Sequence, residues 1–138
     1  MFNNVTHTFL YVLDQDEALD FYAGKLGLEV RTDAEVGFGR WLTVGVPGTT
    51  TPELVLAPPE MGHDEDTAAA IRDLVARGGC NGVIFTVDDC RATYEELKGK
   101  GVEFTQEPTE HFYGTDCGLR DPFGNPLRFT QPAQAYAS

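Results

Sequence analysis

Basic residues are scarce in this chain. Ten Lys and Arg stand against 22 Asp and Glu in 138 residues, a formal net charge of −12. With an isoelectric point near 4.4, this argues against a nucleic-acid partner, whose phosphates recruit a basic face. Neutral and cationic small molecules stay open as ligands. Cysteine is scarce too. Cys80, Cys90 and Cys117 form an odd set without a Cys-x-x-Cys pair, which argues against a thiolate zinc site and leads us to expect reduced thiols. No apolar run approaches the ~18 residues needed to cross a bilayer, and Met1-Phe2-Asn3-Asn4 carries no basic stretch leading into an apolar one. The expectation is a cytoplasmic protein with no membrane partner. Neither a Gly-x-x-x-x-Gly-Lys nor a Gly-x-Gly-x-x-Gly phosphate loop occurs, and no Ser/His/Asp or Cys/His nucleophile arrangement stands out.

What is present is material for a core. Hydrophobic residues make up 41% of the chain and aromatics 11%, including nine Phe. That suffices for one packed domain without disulfide support. Residues 6–12 are an apolar, β-branched and aromatic run that reads as a strand. Asp14 or Asp16 caps a helix over residues 17–26, with Ala18, Phe21, Tyr22 and Leu26 at helical spacing and Gly27 as its stop. Strands follow at 28–31, 40–46 and 53–57, then a connector helix at 64–77. The order then recurs: a strand at 82–87, a helix capped by Asp88 or Asp89, and strands at 102–105, 115–120 and 126–131. The last two are joined by the turn Asp121-Pro122-Phe123-Gly124-Asn125.

The recurrence is a duplication. A shift of 75 residues carries Val12 onto Val87; one residue less carries Asp14 onto Asp88, Ala18 onto Ala92, Gly27 onto Gly101 and Glu29 onto Glu103. We read residues 1–138 as a single domain: module one 1–60, a helical connector 61–79, module two 80–132 and a tail 133–138. Each module has the order β-α-β-β-β. Neither can bury its sheet face alone, so the two share one structure.

Three motifs then carry a family resemblance. Phe21-Tyr22-Ala23-Gly24-Lys25-Leu26-Gly27-Leu28-Glu29-Val30 resembles the Phe-Tyr…Leu-Gly helix end of the vicinal oxygen chelate superfamily. Asp121-Pro122-Phe123-Gly124-Asn125-Pro126-Leu127 resembles its Asp-Pro-x-Gly-Asn turn, and Gly101-Val102-Glu103-Phe104 the strand after its second helix. Glyoxalase I, bleomycin-resistance proteins and extradiol dioxygenases belong to that superfamily. The resemblance spans nearly the whole chain. It implies an α+β fold in which two paired β-α-β-β-β modules form an open, curled mixed sheet around a cavity. It also implies a homodimer, with the cavity in some members built by both chains.

In the metalloenzymes of that superfamily, a His or Gln from the first strand and a Glu from the fourth strand of each module converge on one divalent cation. On that pattern His7 and Glu53 are the candidate ligands of module one, for Zn, Ni, Mn or Fe. Strand alternation puts His7, Phe9 and Tyr11 on one face, as it does Glu53, Val55 and Ala57. A uniform shift of 75 places Gly82 and Arg128 at the corresponding positions of module two, and neither side chain ligates a metal. The expectation is therefore an incomplete metal site with no tightly bound ion, unless Asn81, Glu110 or His111 helps. Arg128 reads either as a fork for a carboxylate, phosphonate or enolate, or as the partner of Glu53 across the pseudo-twofold. Phe9, Tyr11, Trp41, Phe112 and Tyr113 read as pocket wall or as core. His63 reads as exposed, and His111 as a loop residue. The expected function is binding or sequestration of a small-molecule ligand in the sheet cavity. A divalent-metal-dependent lyase or dioxygenase is the alternative, so whether the chain is an enzyme stays open.

Overall fold

A computed structural model describes residues 1–134. The elements run β1 (His7–Tyr11), α1 (Gln15–Leu19, continuing as a π-helical stretch Asp20–Lys25), β2 (Glu29–Glu35), β3 (Arg40–Gly45), β4 (Glu53–Ala57), α2 (Glu65–Ala76), β5 (Val83–Thr86), α3 (Cys90–Gly99), β6 (Glu103–His111), β7 (Gly114–Arg120) and β8 (Pro126–Pro132). The first four strands form one sheet in the order β1-β4-β3-β2, and the last four form a second in the order β5-β8-β7-β6. Each sheet is mixed: β1 runs parallel to β4 and β5 to β8, and the other pairings are antiparallel. The α+β architecture is the expected one, two open sheets with few helices. From residue 135 on, the expected tail lies outside the described residues. Among those described, no helix is long and apolar enough to cross a membrane.

The helix ends explain the duplication's slip. Asp14 caps α1 by accepting from the Glu17 N–H, and Asp89, not Asp88, caps α3 by accepting from the Ala92 N–H. Gly27 and Gly101 end the two helices with φ of 76° and 84°, a left-handed geometry that favours glycine. Behind Gly101, the Val102 N–H bonds the Leu97 carbonyl; behind Gly27, the Leu28 N–H bonds the Tyr22 carbonyl, one residue further back. Module one therefore has one extra residue between cap and stop. The π-helical turns at Asp20–Lys25 absorb it. The slip lies inside the helix and not before it.

β6 is longer than the sequence suggests, because it runs through Pro108 to His111. A proline usually ends a strand. β6 is the edge of its sheet, and Pro108 falls in the register irregularity between Gln106 and Thr109, where a missing N–H is tolerated. His111 consequently belongs to a strand, not to a loop.

One apolar cluster serves both modules. Leu10, Val12, Leu42, Val44, Leu54 and Leu56 of the first sheet meet Ala18, Phe21 and Tyr22 of the first helix. They share that cluster with Tyr94, Leu97, Leu119, Leu127 and Phe129 of module two. A polar clamp crosses it. The Asp121 carboxylate accepts from the Tyr22 hydroxyl at 2.7 Å, from the Phe123 and Asn125 N–H groups at 2.9 and 2.8 Å, and from Asn125 Nδ2 at 2.7 Å. Asn125 Nδ2 also donates to the Tyr11 carbonyl at 2.8 Å, and Asn81 both donates to that carbonyl and accepts from the Tyr11 N–H. Burial, and after it the Asp121 charge and hydrogen bond, hold the Tyr22 phenol well above its ordinary pKa.

Removing one member leaves buried partners unsatisfied. Tyr22→Phe should cost about 1–3 kcal/mol, and Asp121→Ala more, about 3–5 kcal/mol. Urea unfolding checks both. A Tyr22→Phe variant with an unchanged midpoint would mean that the clamp contributes nothing to holding the modules together.

Candidate functional site

The sequence candidates fall into two groups on two sheets. On the first sheet, His7 stands directly opposite Glu53 in the β1–β4 ladder, with Phe9 opposite Val55 and Tyr11 opposite Ala57. Trp41 of β3 joins them: its ring lies 6.0 Å from His7 and 6.1 Å from Phe9, and Phe9 lies 6.2 Å from Tyr11. The opposite parity, Leu10 and Val12, is fully buried in the core. Alternation thus sends an aromatic wall outward, and Phe9 remains 44% exposed. Tyr11 also meets the ring of His63 at 5.7 Å, and His63 Nδ1 lies 3.0 Å from the Pro59 carbonyl. His63 is half-buried, not exposed as its acidic surroundings suggested.

On the second sheet, the centre is a residue the sequence reading missed. Asp116 of β7 is 3% exposed. One carboxylate oxygen accepts from Arg128 Nη2 at 3.0 Å and from the Tyr113 hydroxyl at 2.9 Å. The other accepts from Gln106 Nε2 at 3.1 Å and lies 3.2 Å from His111 Nε2. Burial pushes the Asp116 carboxyl up. The hydrogen bonds from Arg128 and Tyr113 outweigh it and hold the group below the usual carboxylate range. The Tyr113 phenol is raised, chiefly by its bond to Asp116. Arg128 therefore pairs with Asp116 of its own sheet and not with Glu53. Glu53 Oε1 instead accepts from the Thr43 hydroxyl at 2.7 Å, and the same oxygen lies 3.7 Å from His7 Nε2. Among the described residues, no hydrogen bond or ring contact joins the aromatic group to the Asp116 group.

The ladders also revise the equivalence of the two modules. The Val12 N–H bonds the Ala57 carbonyl, and the Val87 N–H bonds the Thr130 carbonyl. Counting back, Gly82 does match His7. Glu53, however, matches Pro126, and Arg128 matches Val55. The connection from β7 to β8 is two residues shorter than that from β3 to β4, so a uniform shift fails there. The same register matches Trp41 with Asp116. Module two places a buried carboxylate where module one places an indole, a signal readable in the sequence only after correct alignment of the strands.

A four-ligand metal centre does not fit these residues. His7 and Glu53 are adjacent, but Gly82 and Pro126 offer no donor, and no cluster of three or more His, Cys, Asp or Glu suited to a cation occurs among the described residues. Asn81 is committed to the clamp. Glu110 opposes Thr115, out of phase with His111. The thiols form no such cluster either. Cys90 and Cys117 are fully buried with sulfurs 3.9 Å apart, and burial raises both above the usual thiol range.

Comparison with known proteins agrees with the fold. A family model described as the Glyoxalase/Bleomycin resistance protein/Dioxygenase superfamily matches residues 4–129. The Bacillus subtilis (strain 168) protein YurT is 35% identical over 128 residues, covering 90% of this chain and 95% of YurT. The crystal structure of UcmS2 superposes with a TM-score of 0.85 at 44% identity, covering 94% of this chain and 98% of that one. TnmS3, an antibiotic binding protein from Streptomyces sp. CB03234, superposes with a TM-score of 0.77 at 28% identity over 96% of this chain and 98% of its own.

Asp116 ionises at lower pH in the folded chain than in the unfolded one. It contributes stability above pH ~3.9, and that contribution is lost as pH falls through its depressed native value. In urea, Asp116→Asn should be less stable than wild type near neutrality by about 1–3 kcal/mol, and the two should converge on acidification. A gap constant with pH would show that Asp116 acts through packing alone.

Proposed function

The chain belongs to the glyoxalase/bleomycin resistance protein/dioxygenase superfamily, and from that premise we propose that it binds and sequesters a small planar ligand bearing an oxygen acceptor. The observation that carries this reading is the contrast between its two walls. One is a set of aromatic rings that the core does not cover. The other holds an arginine with donors left over. Arg128 Nη2 serves Asp116 and Gln106, while Nε and Nη1 have no hydrogen-bond partner among the described residues. A half-exposed guanidinium fixed by a buried carboxylate is a preorganised donor for a carboxylate, enolate or carbonyl oxygen. The rings of the other wall supply area for a flat apolar body.

The two walls belong to different sheets, so a closed pocket needs a second copy of the chain to set its polar wall against the first copy's rings. Open apolar side chains support such a homodimer: Phe9 at 44% and Ile84 at 71% exposure lie on the outward faces of β1 and β5, each at the edge of its sheet. The antibiotic-binding activity named for TnmS3 supports the same class of function. The His7–Glu53 pair favours a second reading, a divalent-metal-dependent lyase or dioxygenase whose remaining ligands come from outside this chain's own pattern.

Light scattering should give twice the 15.1 kDa chain mass; a monomer at tens of micromolar would remove the shared pocket. A fluorescence screen of flat aromatic acids should find a binder that Trp41→Ala and Arg128→Ala each weaken, Arg128→Ala by about 10- to 100-fold. Calorimetry with Ni²⁺, Zn²⁺ and Mn²⁺ should give at most weak binding. Stoichiometric submicromolar binding that is lost in His7→Ala would establish the metal-dependent reading instead.

A further inference from the structure

Arg128 is held in one pose by its neighbours. Nη2 is taken up by Asp116 and Gln106, and Nη1 lies over Gly118, where an added Cβ would stand 3.0 Å away. The free donors, Nε and Nη1, belong to a cation whose charge is compensated by Asp116. Asp116 in turn has a second, titratable neighbour. His111 stacks on Tyr113 with centroids 4.9 Å apart and planes at 11°, and this holds Nε2 at 3.2 Å from the other Asp116 oxygen. The charge of the cluster depends on whether the His111 ring is neutral or protonated. With neutral His111, Arg128 and Asp116 sum to zero; with protonated His111 the cluster carries one positive charge.

We propose that Arg128 Nε and Nη1 form a subsite for an oxygen of the bound ligand, and that His111, acting through Asp116, decides whether the subsite favours an anionic or an uncharged oxygen. This rests on the binding function proposed above and names its specificity determinant. His111 is a positioning residue here and does not itself reach the ligand oxygen. Other charges around the cluster do not compete for the role. From β6, Glu107 lines a separate depression with Tyr94 and Lys98 of α3, and Glu110 is out of phase with His111. β8 contributes Arg128 and the neutral Thr130, and β5 presents Ile84 and Thr86. Tyr113 donates to Asp116. The remaining imidazole on an outward sheet face, His7, stands on the other sheet beside Glu53.

The probes are anilinonaphthalene sulfonate and N-phenylnaphthylamine, the same aromatic skeleton with and without a fixed negative charge. Their dissociation constants are measured by fluorescence at about pH 5.5 and about pH 8, which bracket histidine titration. The sulfonate should gain about three- to tenfold over the uncharged amine at the lower pH. His111→Gln should keep both affinities near the wild-type values found at the higher pH and abolish the pH dependence of their ratio. Arg128→Ala should remove the preference for the sulfonate at both pH values. A ratio that still varies with pH in His111→Gln, or that does not vary in wild type, overturns this inference alone. Failure of either probe to bind saturably, or binding indifferent to Trp41→Ala, overturns the binding reading and this inference with it.

Discussion

The Asp121 carboxylate is the contact on which the rest of this structure depends. It sits 4% exposed between β7 and β8 and closes its own turn through the Phe123 and Asn125 N–H groups. With its remaining oxygen it reaches a tyrosine 99 positions earlier. A buried carboxylate is costly unless its lone pairs are filled, and here four donors fill them. The bond to Tyr22 fixes the first helix against the second module. Through Asn125 and Asn81, the same network holds the end of β1, where the aromatic wall begins.

That clamp lets two similar modules do different work. Each sheet turns one parity of its strands to the shared core and the other outward. The inner parity is interchangeable: Leu10, Leu54 and Val44 match Phe85, Leu127 and Leu119 in ladder position, and all are apolar. The outer parity has diverged. In equivalent positions, Trp41 is matched by Asp116, Val55 by Arg128, and His7 by Gly82. Hydrophobic burial constrains the first set by type and volume. The second set lies outside the shared apolar cluster, so one module carries stacking area and the other carries charge and hydrogen bonds.

The electrostatics follow from this division. A chain of net charge −12 keeps Arg128 half-exposed on a sheet face without surrendering it to the bulk acidic surface, because a single buried partner, Asp116, claims one edge of it. The exposed edge remains available. Burial of Asp116 raises the stakes of each contact it makes, since a missing donor leaves a charge unsatisfied. Tyr113, Gln106 and His111 are best understood as the set that makes this burial tolerable.

Much was legible from residue order alone. The capping aspartates, the glycine stops, the apolar runs and the Asp121–Asn125 turn are local signals with local causes, and they marked nearly every element and the duplication itself. Strand alternation correctly separated Phe9 and Tyr11 from Leu10 and Val12, because side chains alternate faces in any strand. The continuation of β6 through Pro108 was not legible, since an edge position becomes known only when the sheet is assembled. Nor was the partner of Arg128. A uniform shift matched it with Glu53, whereas the shorter β7–β8 connection moved it two residues along the ladder, to a place beside Asp116. Local pattern determines which residues make strands and which side they show. Register across a sheet depends on connection lengths and on burial shared by both modules, and only the tertiary structure decided which charges meet.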